Sequence, residues 1–547
     1  MNKDLKNKTY TSLVSYFKAR PLECLVFLIS SILSFYLVAQ LNLEDNLIIG
    51  NADQGNMANL ARNIAEGNGA VVDNVWLMTD GGLPGNSVTH AEPYWSVYVA
   101  AIIAPFFKVF GVSRFVFILP ALLINIAIAG LVAWIVAKSA PTNRIPVILG
   151  FVISIFSIPM LNAINGFSDI YLTLFMLLTG LALVYAISMN KWLLFFIAGV
   201  FAGIAVAIKP SGLLLLGIWP VYLVFINDRI AILRNLVIFL FGMMVGLTPY
   251  FTYNKANFDT FLSPGLHLVS KALTIRDSIR KAEKDNNVER IGENKWDHAH
   301  RTALYDPDAI PVHSASSDTL VSKLSKYVIR LKTFIQKSFI WGMLIPLWLM
   351  PFVLLGIVEA VLKLKSKESI TNRPFDLFLV FCVLMLISGF VLGSYVSFEV
   401  RYWNYMVPLS IVLAVVGTTK VPKLVTISLL IFSLYSGGDY LINHAGLKKS
   451  TPAYAKAIDI LPEGAKVFTS SPWQFVFHTK IPSVILPYSE VPETIKNTAI
   501  RYGVEYIAIV DNDTKHAYYK PLEKGQTFDY LDLIYRDEHL ILYKFIN

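Results

Sequence analysis

The chain has 547 residues, of which 55% are hydrophobic and only 16% are charged, and its mean hydropathy is +0.55. Soluble globular domains carry about 25% charged residues, so this composition excludes an ordinary soluble protein and indicates a polytopic membrane protein with room for one soluble domain. The net charge of +9 does not indicate nucleic-acid binding, because most basic residues lie in short segments between apolar runs, where they set topology. Cys24 and Cys382 both lie inside apolar runs, which excludes a disulfide framework.

The first apolar run follows a polar, basic segment. Residues 1–22 are predicted to be a cytoplasmic N-terminus, and Cys24 to Leu41 is long enough to span the membrane. The run is long for the apolar part of a signal peptide, and no convincing small-residue cleavage site follows it. We therefore expect a retained first span, which opens a transmembrane domain extending over residues 23–446.

A short amphipathic helix is predicted on the outer side of this span, within the stretch from Asn51 to Gly69. Apolar residues recur there at helical spacing: Met57, Leu60, Ala61 and Ile64. The helix is expected to lie on the membrane surface, to begin just after Asp53 and to end at the glycines that follow Glu66. Asp53 then lies at or near the N-cap, where backbone N–H groups and the helix dipole favour its ionised form.

A moderately apolar run at residues 94–110 follows, and charge decides its placement. If this run crossed the membrane, the basic loop with Lys138 and Arg144 would lie outside. If it lies along the outer interface, the later loops obey the positive-inside rule. We therefore predict an interfacial helix within a first outer loop of residues 42–114.

Further apolar runs predict the remaining spans. They lie near residues 115–137, 146–164, 170–188, 192–208, 211–226, 235–253, 338–361, 375–396, 402–417 and 423–441. With the first span this makes about eleven transmembrane helices, an odd number that leaves the C-terminal region outside. Residues 254–330 form a large, charged outer loop with four histidines, and we expect it to be either disordered or a lid over a site.

The chain changes character at residue 447 and becomes soluble. Short apolar runs alternate with helical patterns over residues 447–547, which predicts a small extracytoplasmic α/β domain with a terminal hairpin. The strands are expected at Lys466–Thr469, Ser483–Leu486, Glu505–Val510 and His539–Phe545, and a helix at Val491–Tyr502. The domain lacks a G-x-G-x-x-G fingerprint, so no nucleotide is assigned to it.

Several polar residues fall on the outer side of the membrane in this topology. They are Asp53, His90 and Glu92 in the first outer loop, Asp169 and Lys209 at span ends, and Arg401 with Tyr402 before the tenth span. Any one of them could be an anchor at the interface, and Asp53 could be a helix cap alone. Their convergence on one membrane face favours a site at the outer interface.

These residues carry a resemblance to the GT-C superfamily of membrane glycosyltransferases, over about residues 20–440. The chain resembles most the protein O-mannosyltransferases and the aminoarabinose transferases that act on lipid A. The matching features follow the family's order: Asp53 through Gly69, the loose match of His90 to Gly111 with Arg114, Asp169, Gly199 and Gly203 before Lys209, Pro249 with Asn254, and Arg401-Tyr402 with Pro408. The chain has Asp53-Gln54 where that family frequently has Asp-Glu, and one proline, Pro93, where it often has two.

The resemblance implies transfer of a single sugar from a polyprenyl-phosphate donor to a lipid, glycan or protein acceptor in a bacterial or archaeal cytoplasmic membrane. Inverting transfer needs a carboxylate to take the acceptor's proton and cations to stabilise the departing phosphate. The expected roles are Asp53 as base, Lys209, Arg401 and Arg114 at the phosphate, and Asp169, His90, Glu92 and Tyr402 in positioning substrate. Asp169 and His90 could alternatively bind a divalent ion, and no other cofactor is expected.

Two other classes of protein remain open from the sequence. A secondary transporter would have two related halves with broken spans and ionisable residues at mid-membrane, whereas the charges here lie at span ends. A non-catalytic lipid-binding protein would use the C-terminal domain to recruit a partner. Loss of sugar transfer in Asp53→Asn would distinguish the enzyme from the lipid-binding protein.

Overall fold

The long apolar runs of the sequence form helices in the order expected from their hydropathy. A computed structural model describes residues 21–42, 49–50, 52–75, 87–93, 96–139, 144–165, 168–218, 229–263, 320–336, 345–364, 373–396, 403–443, 452–486, 492–510, 522 and 528–546. The first helices are α1 (Pro21–Asn42), α2 (Ala52–Glu66), α3 (Val97–Phe110), α4 (Arg114–Ser139), α5 (Arg144–Phe156), α6 (Ile158–Ile164), α7 (Asp169–Met189) and α8 (Trp192–Ile208). A 3-10 helix follows at Pro210–Ile218, and then α9 (Arg229–Phe258), α10 (Leu320–Ile335), α11 (Met350–Leu364), α12 (Pro374–Val396), α13 (Met406–Thr418) and α14 (Lys423–Asn443).

Within the described residues, seven helical segments are long and apolar enough to cross a membrane. They are Pro21–Gln40, Arg114–Ser139, Asp169–Met189, Ala231–Phe258, Leu347–Leu364, Pro374–Val391 and Lys423–Leu441. Four helices, α3, α5, α8 and α13, are apolar but shorter. Large apolar side chains stay exposed along several of these helices, as at Leu28 and Ile32 of α1 and Phe241 of α9, which suits a surface that faces lipid. The chain is an integral membrane protein.

The predicted span at 146–164 is broken into α5 and α6 at Ser157. Pro159 causes the break, because proline has no N–H to donate to the carbonyl of Ile155 four residues earlier. The buried Asn125 donates its side-chain N–H to that carbonyl at 3.3 Å. In an apolar environment the freed carbonyl needs such a partner, so the kink and the buried amide belong together.

The relative direction of helices α1 and α5 bears on how often the chain between them crosses the membrane. Arg144 at the start of α5 lies 3.6 Å from Glu23 at the start of α1, and the rings of Phe27 and Phe151 stack at 4.3 Å further along. The helices therefore run parallel, and an odd number of crossings separates them. The span α4 supplies one such crossing, and the interfacial placement of α3 that charge predicts stays a prediction.

Helices α8 and α9 pack backbone to backbone through glycines. A Cβ at Gly203 would lie 2.3 Å from the Met243 carbonyl oxygen, and one at Gly246 would lie 2.4 Å from the Val200 carbonyl oxygen. Gly199 meets Phe239 in the same way, one turn earlier on both helices. Such small residues drive association of helices in lipid, where apolar side chains give no preference for a neighbouring helix.

The glycine register also shows that α8 and α9 run in the same direction. A further crossing is therefore needed between Ile208 and Arg229. The sequence predicts a span at 211–226 here; the 3-10 helix Pro210–Ile218 is its described part, and residues 219–228 lie outside the described residues.

The chain divides into two compact units. The membrane unit comprises residues 1–43, 118–247 and 320–446, and the second unit comprises residues 44–117, 248–319 and 447–547. The second unit contains α2, α3, β1 (Val71–Val72), β2 (Asn74–Val75), β3 (His90–Ala91), α15 (Ala453–Ile460), β4 (Val467–Thr469), α16 (Pro472–Thr479), β5 (Ser483–Ile485), α17 (Pro492–Tyr502), β6 (Tyr506–Val510), β7 (Leu531–Arg536) and β8 (Leu540–Phe545). The first outer loop and the C-terminal domain, predicted as separate pieces, thus belong to one unit.

A sheet joins these pieces, with strand order β2-β5-β4-β6-β8-β7. The central strands β5, β4 and β6 are parallel, and β7 and β8 form the antiparallel hairpin that was predicted at the C-terminus. Strand β2 comes from the first outer loop and pairs in parallel with β5. The predicted strands of the α/β domain are confirmed, but β2 completes its sheet from about 400 residues earlier in the chain.

The large outer loop predicted at 254–330 is shorter at both ends than expected. Helix α9 continues to Phe258, and α10 begins at Leu320. Residues 264–319, with the four histidines of that loop, lie outside the described residues.

The glycine contacts of α8 give a test of helix packing. Gly203→Ala is expected to destabilise the protein by about 1–3 kcal/mol, as overpacking typically does, because the new methyl group meets backbone. Gly130→Ala in α4 is the matched control, since a Cβ there meets nothing within 4 Å, and alanine is favoured over glycine in a helix by about 0.5–1 kcal/mol. Thermal unfolding of the detergent-solubilised variants measures both, and equal melting temperatures for the two would contradict the packing.

Candidate functional site

Asp53 lies in the first turn of α2, which begins at Ala52. The helix therefore starts earlier than predicted, and Asp53 is a residue of its first turn rather than a cap before it. The free N–H groups and the dipole of the N-terminus still favour a carboxylate at this position. The side chain is half-buried, which is compatible with both ionisation and access to a substrate.

Helix α2 ends as the sequence predicted. It stops at Glu66, and both Gly67 and Gly69 have positive φ angles, of 88° and 87°. The Asn68 N–H donates to the Asn63 carbonyl at 2.9 Å, which satisfies one of the carbonyls that a helix end leaves open.

The prediction that α2 is a surface helix is wrong. Residues 54–63 are all buried, because α2 packs between α3 and α16 of the same unit. The apolar positions found by periodicity account for part of this burial. The polar positions are buried as well, and each needs a hydrogen-bond partner there.

Helix α16 supplies several of these partners along one stripe of α2. The Asn59 amide donates to the Trp473 carbonyl at 3.2 Å, and the Arg62 guanidinium donates to the Val476 carbonyl at 2.9 Å. Glu66 accepts from Lys480 at 2.8 Å where the two helices end. The stripe is polar rather than apolar, so hydrophobic periodicity did not reveal it.

A second polar group connects α2 to strand β2. Asn74 donates to the Asn56 side-chain oxygen at 2.7 Å, and Asn59 donates to the Asn74 side-chain oxygen at 3.4 Å. Asn56 in turn donates to the Ala52 carbonyl at 2.8 Å. These buried amides tie the first turn of α2, where Asp53 lies, to the edge of the sheet.

Asp73 is a polar residue of this unit that the sequence analysis did not single out. Its carboxylate accepts from Asn63 at 2.8 Å and from Thr89 at 2.8 Å, and it lies 3.6 Å from the Arg62 guanidinium. Burial lowers the pKa of Arg62, and the Asp73 charge acts in the opposite direction. The carboxylate thus compensates a buried cation, and we assign it a structural role.

His90 and Glu92 lie at the two-stranded sheet in which His90 of β3 faces Val72 of β1. The His90 Nδ1 is 3.0 Å from the Val88 carbonyl oxygen, so Nδ1 carries the proton and Nε2 is the acceptor nitrogen. Burial lowers the pKa of His90, which keeps the ring neutral near pH 7.

Tyr253 of α9 ties this small sheet in place. Its hydroxyl lies 3.0 Å from the carbonyl oxygens of both Ala70 and Glu92. The Glu92 side chain is buried. Glu92 thus contributes its backbone to the architecture, and its expected role in positioning substrate stays a prediction.

Arg114 is the first residue of α4, and it is only 6% exposed. Ser113 accepts the Val116 N–H with its hydroxyl oxygen at 3.3 Å, which holds the first turn of the helix. The Arg114 side chain is thus largely buried at the start of α4, and its expected role at the phosphate stays a prediction.

In the membrane unit, Lys209 and Asp169 form an ion pair at 2.5 Å between the end of α8 and the start of α7. Asp169 is 2% exposed and the Lys209 side chain 19%. The sequence analysis named both residues but did not predict that they pair.

Within the part of the chain that the structure describes, no group of three or more His, Cys, Asp or Glu side chains could hold a metal ion. Arg401 and Tyr402 lie outside the described residues.

The Lys209–Asp169 pair yields a stability prediction. Lys209→Met is expected to destabilise the protein by about 3–5 kcal/mol, because it leaves a buried carboxylate without its cation. Lys209→Met combined with Asp169→Leu removes both charges and should recover most of that loss. Thermal unfolding in detergent measures the two variants, and equal loss in both would show that the ion pair is not the cause.

Sequence comparison matches part of the chain to the model of a known protein family. Residues 94–253 match the family model described as dolichyl-phosphate-mannose-protein mannosyltransferase. The matched region runs from α3 to α9, and it includes Arg114, Asp169 and Lys209. No curated protein sequence matches the chain.

Structure comparison finds enzymes of low sequence identity. An oligosaccharyltransferase from Archaeoglobus fulgidus, in a complex with Zn and sulfate, is 11% identical and has a TM-score of 0.56, with 95% of this chain and 73% of that chain covered. The archaeal oligosaccharyltransferase AglB from the same organism, in complex with an inhibitory peptide and a dolichol-phosphate, is 12% identical with a TM-score of 0.53, covering 91% and 70%. The arabinofuranosyltransferase AftD from Mycobacteria is 10% identical with a TM-score of 0.50, covering 95% of this chain but 40% of the longer enzyme.

At such low identity these likenesses show the fold alone, which the chain shares with the two archaeal oligosaccharyltransferases and with AftD. The family model matches residues 94–253, which are less than a third of the chain.

Proposed function

We propose that the chain is a membrane glycosyltransferase of the GT-C superfamily, which moves a single sugar from a polyprenyl-phosphate donor to a lipid, glycan or protein acceptor, with inversion and with Asp53 as the base. The observation that carries the proposal is the position of Asp53, a half-buried carboxylate in the first turn of a helix that is otherwise buried. A fixed, ionised carboxylate is what activation of an acceptor hydroxyl requires.

The donor class is supported by the match and by the fold. The matched family model is named for dolichyl-phosphate-mannose, and the archaeal oligosaccharyltransferase was solved with a dolichol-phosphate. A polyprenyl phosphate also suits a membrane enzyme, because its chain dissolves in the bilayer and its anionic head stays at the interface.

In the proposed reaction the acceptor oxygen bonds to C1 of the sugar while the bond from C1 to the phosphate oxygen breaks. The acceptor proton goes to Asp53, and the polyprenyl phosphate leaves as an anion. A cation beside that anion lowers the barrier, and Arg114, Lys209 and Arg401 are the proposed phosphate-binding residues. Asp169, His90, Glu92 and Tyr402 are proposed to position substrate.

Purified protein should be assayed with radiolabelled undecaprenyl-phosphate mannose, glucose, galactose and arabinose. Membranes from a strain that lacks the protein provide the acceptor. Transfer of label from the lipid-soluble donor into the membrane glycans or proteins identifies the sugar, and mass spectrometry of the product identifies the acceptor. No transfer or donor hydrolysis with any polyprenyl-phosphate sugar would contradict the donor class.

Asp53→Asn is expected to lower kcat by about 10²–10⁴-fold, the typical contribution of a general base, since an amide cannot accept the proton. Melting temperature and donor binding should stay close to those of the unmodified protein, because one charge near a helix N-terminus contributes only about 0.3–1 kcal/mol. Glu66→Gln makes the same chemical change at the other end of α2 and should keep full activity. Near-normal transfer by Asp53→Asn would place the base elsewhere.

Orientation of the membrane domain is a separate proposal, with the C-terminal domain outside the cytoplasmic membrane. It rests on the basic bias of the loops predicted to be inside. A phosphatase reporter fused after Asn547 should be active, because this reporter folds only outside the cytoplasm. A reporter that is active only in the cytoplasm, fused at the same residue, would reverse the assignment.

A further inference from the structure

The chain just before Asp53 is held by a side chain of the C-terminal α/β domain. Gln474 of α16 accepts the Ile49 N–H with its amide oxygen at 3.0 Å and donates from its amide nitrogen to the Gly50 carbonyl. Both Ile49 and Gln474 are buried. One amide group thus binds both a donor and an acceptor of the backbone that leads into α2.

Gly50, whose carbonyl accepts from Gln474, has an unusual backbone conformation. Its φ is +124°, and a Cβ there would lie 1.9 Å from the Gln54 side-chain oxygen. Side-chain-bearing residues rarely adopt such a conformation, so the backbone here favours glycine, and the end of the flexible Gln54 side chain would have to move to admit a Cβ. Gln474 therefore holds the backbone at Ile49 and Gly50, shortly before α2 begins at Ala52.

The first turns of α2 and α16 also touch directly. A Cβ at Gly55 would lie 2.6 Å from the Trp473 ring, so only glycine allows this close approach. Asn59 donates to the Trp473 backbone one turn later. Gln474 thus contacts the chain before α2, at Ile49 and Gly50, and its neighbour Trp473 contacts α2 at Gly55.

Helix α16 is itself firmly seated in the α/β domain, so it can serve as a support. Phe475 is fully buried in a core with Tyr454 and Val467. The His478 ring stacks on Tyr454 with centroids 4.7 Å apart, and burial lowers the pKa of His478 to about 4. The helix is thus held by an apolar core and a neutral aromatic stack, and both are independent of α2.

We propose that Gln474 is a positioning residue for Asp53, and that the C-terminal domain acts in sugar transfer by holding the base in place through this amide. The inference rests on the proposed role of Asp53 and extends it to a residue 421 positions later in the chain. A glutamine suits the task because it is uncharged and reaches two backbone groups at once.

The test compares Gln474→Met with Lys480→Met in the transfer assay with undecaprenyl-phosphate sugars and acceptor membranes. Methionine keeps the volume of glutamine but makes neither hydrogen bond. Lys480→Met removes a contact at the far end of the same helix pair, where Lys480 and Glu66 meet. We expect Gln474→Met to lower kcat by about 10–100-fold, the scale of a base displaced by about 1 Å, with the donor KM unchanged, and Lys480→Met to keep the normal kcat.

A double-mutant cycle shows whether the effect passes through Asp53. In the Asp53→Asn background, Gln474→Met should change the residual rate by less than about twofold, because residues that act as a unit are non-additive. An equal loss in both backgrounds, or a normal kcat in Gln474→Met alone, would overturn the proposal. If Asp53→Asn alone keeps its activity, the assignment of the base fails instead, and the two failures are distinguished.

A second variant covers the case in which Gln474→Met does not fold. Gln474→Glu retains an acceptor for the Ile49 N–H but places a carboxylate oxygen against the Gly50 carbonyl. We expect a lower kcat at an unchanged donor KM for this variant too. Normal kcat in Gln474→Glu, or failure of both variants to give a monodisperse protein, would show that Gln474 has only a structural role.

Discussion

The second unit depends on one requirement, which is that the buried polar face of α2 must be hydrogen-bonded. Asn56, Asn59, Arg62 and Asn63 are all buried on this helix, and an unpaired polar group in such a place costs about 1–3 kcal/mol. Their partners come from α16, from strand β2 and from Asp73. The helix that carries Asp53 is therefore stable in this position only when the C-terminal domain is folded against it.

The membrane unit is held together by a different interaction. Lipid offers apolar surface as favourable as that of a neighbouring helix, so the helices associate through close backbone approach and internal polar contacts. Gly203 and Gly246 allow the close backbone approach. The hydrogen bond from the Asn125 amide to the Ile155 carbonyl is an internal polar contact. The Lys209–Asp169 pair adds a compensated charge at the ends of α8 and α7. Close backbone contacts and paired polar groups thus hold these spans together.

The two units offer different environments to the proposed reaction, one with hydrogen-bonded polar groups and one with apolar side chains. The proposed proton transfer to Asp53 needs hydrogen-bonded surroundings, and the buried amides around α2 in the second unit provide them. The apolar spans present lipid-facing side chains such as Leu28 and Phe241, which suit a donor with a polyprenyl chain. The proposed chemistry thus needs both kinds of environment in one chain.

The sequence by itself determined the features that depend on local pattern. Hydropathy predicted the helical spans, charge predicted that α3 does not cross, and alternating short runs predicted the C-terminal strands, because length, charge and periodicity are properties of neighbouring residues. Order along the chain led to Asp53 as the expected base, and that role stays a prediction. Only the tertiary structure decided that α2 is buried, that β2 joins a distant sheet and that Lys209 pairs with Asp169. Arg62 and Val476 are 414 residues apart, and the polar contacts across such distances leave no periodic signal in the sequence.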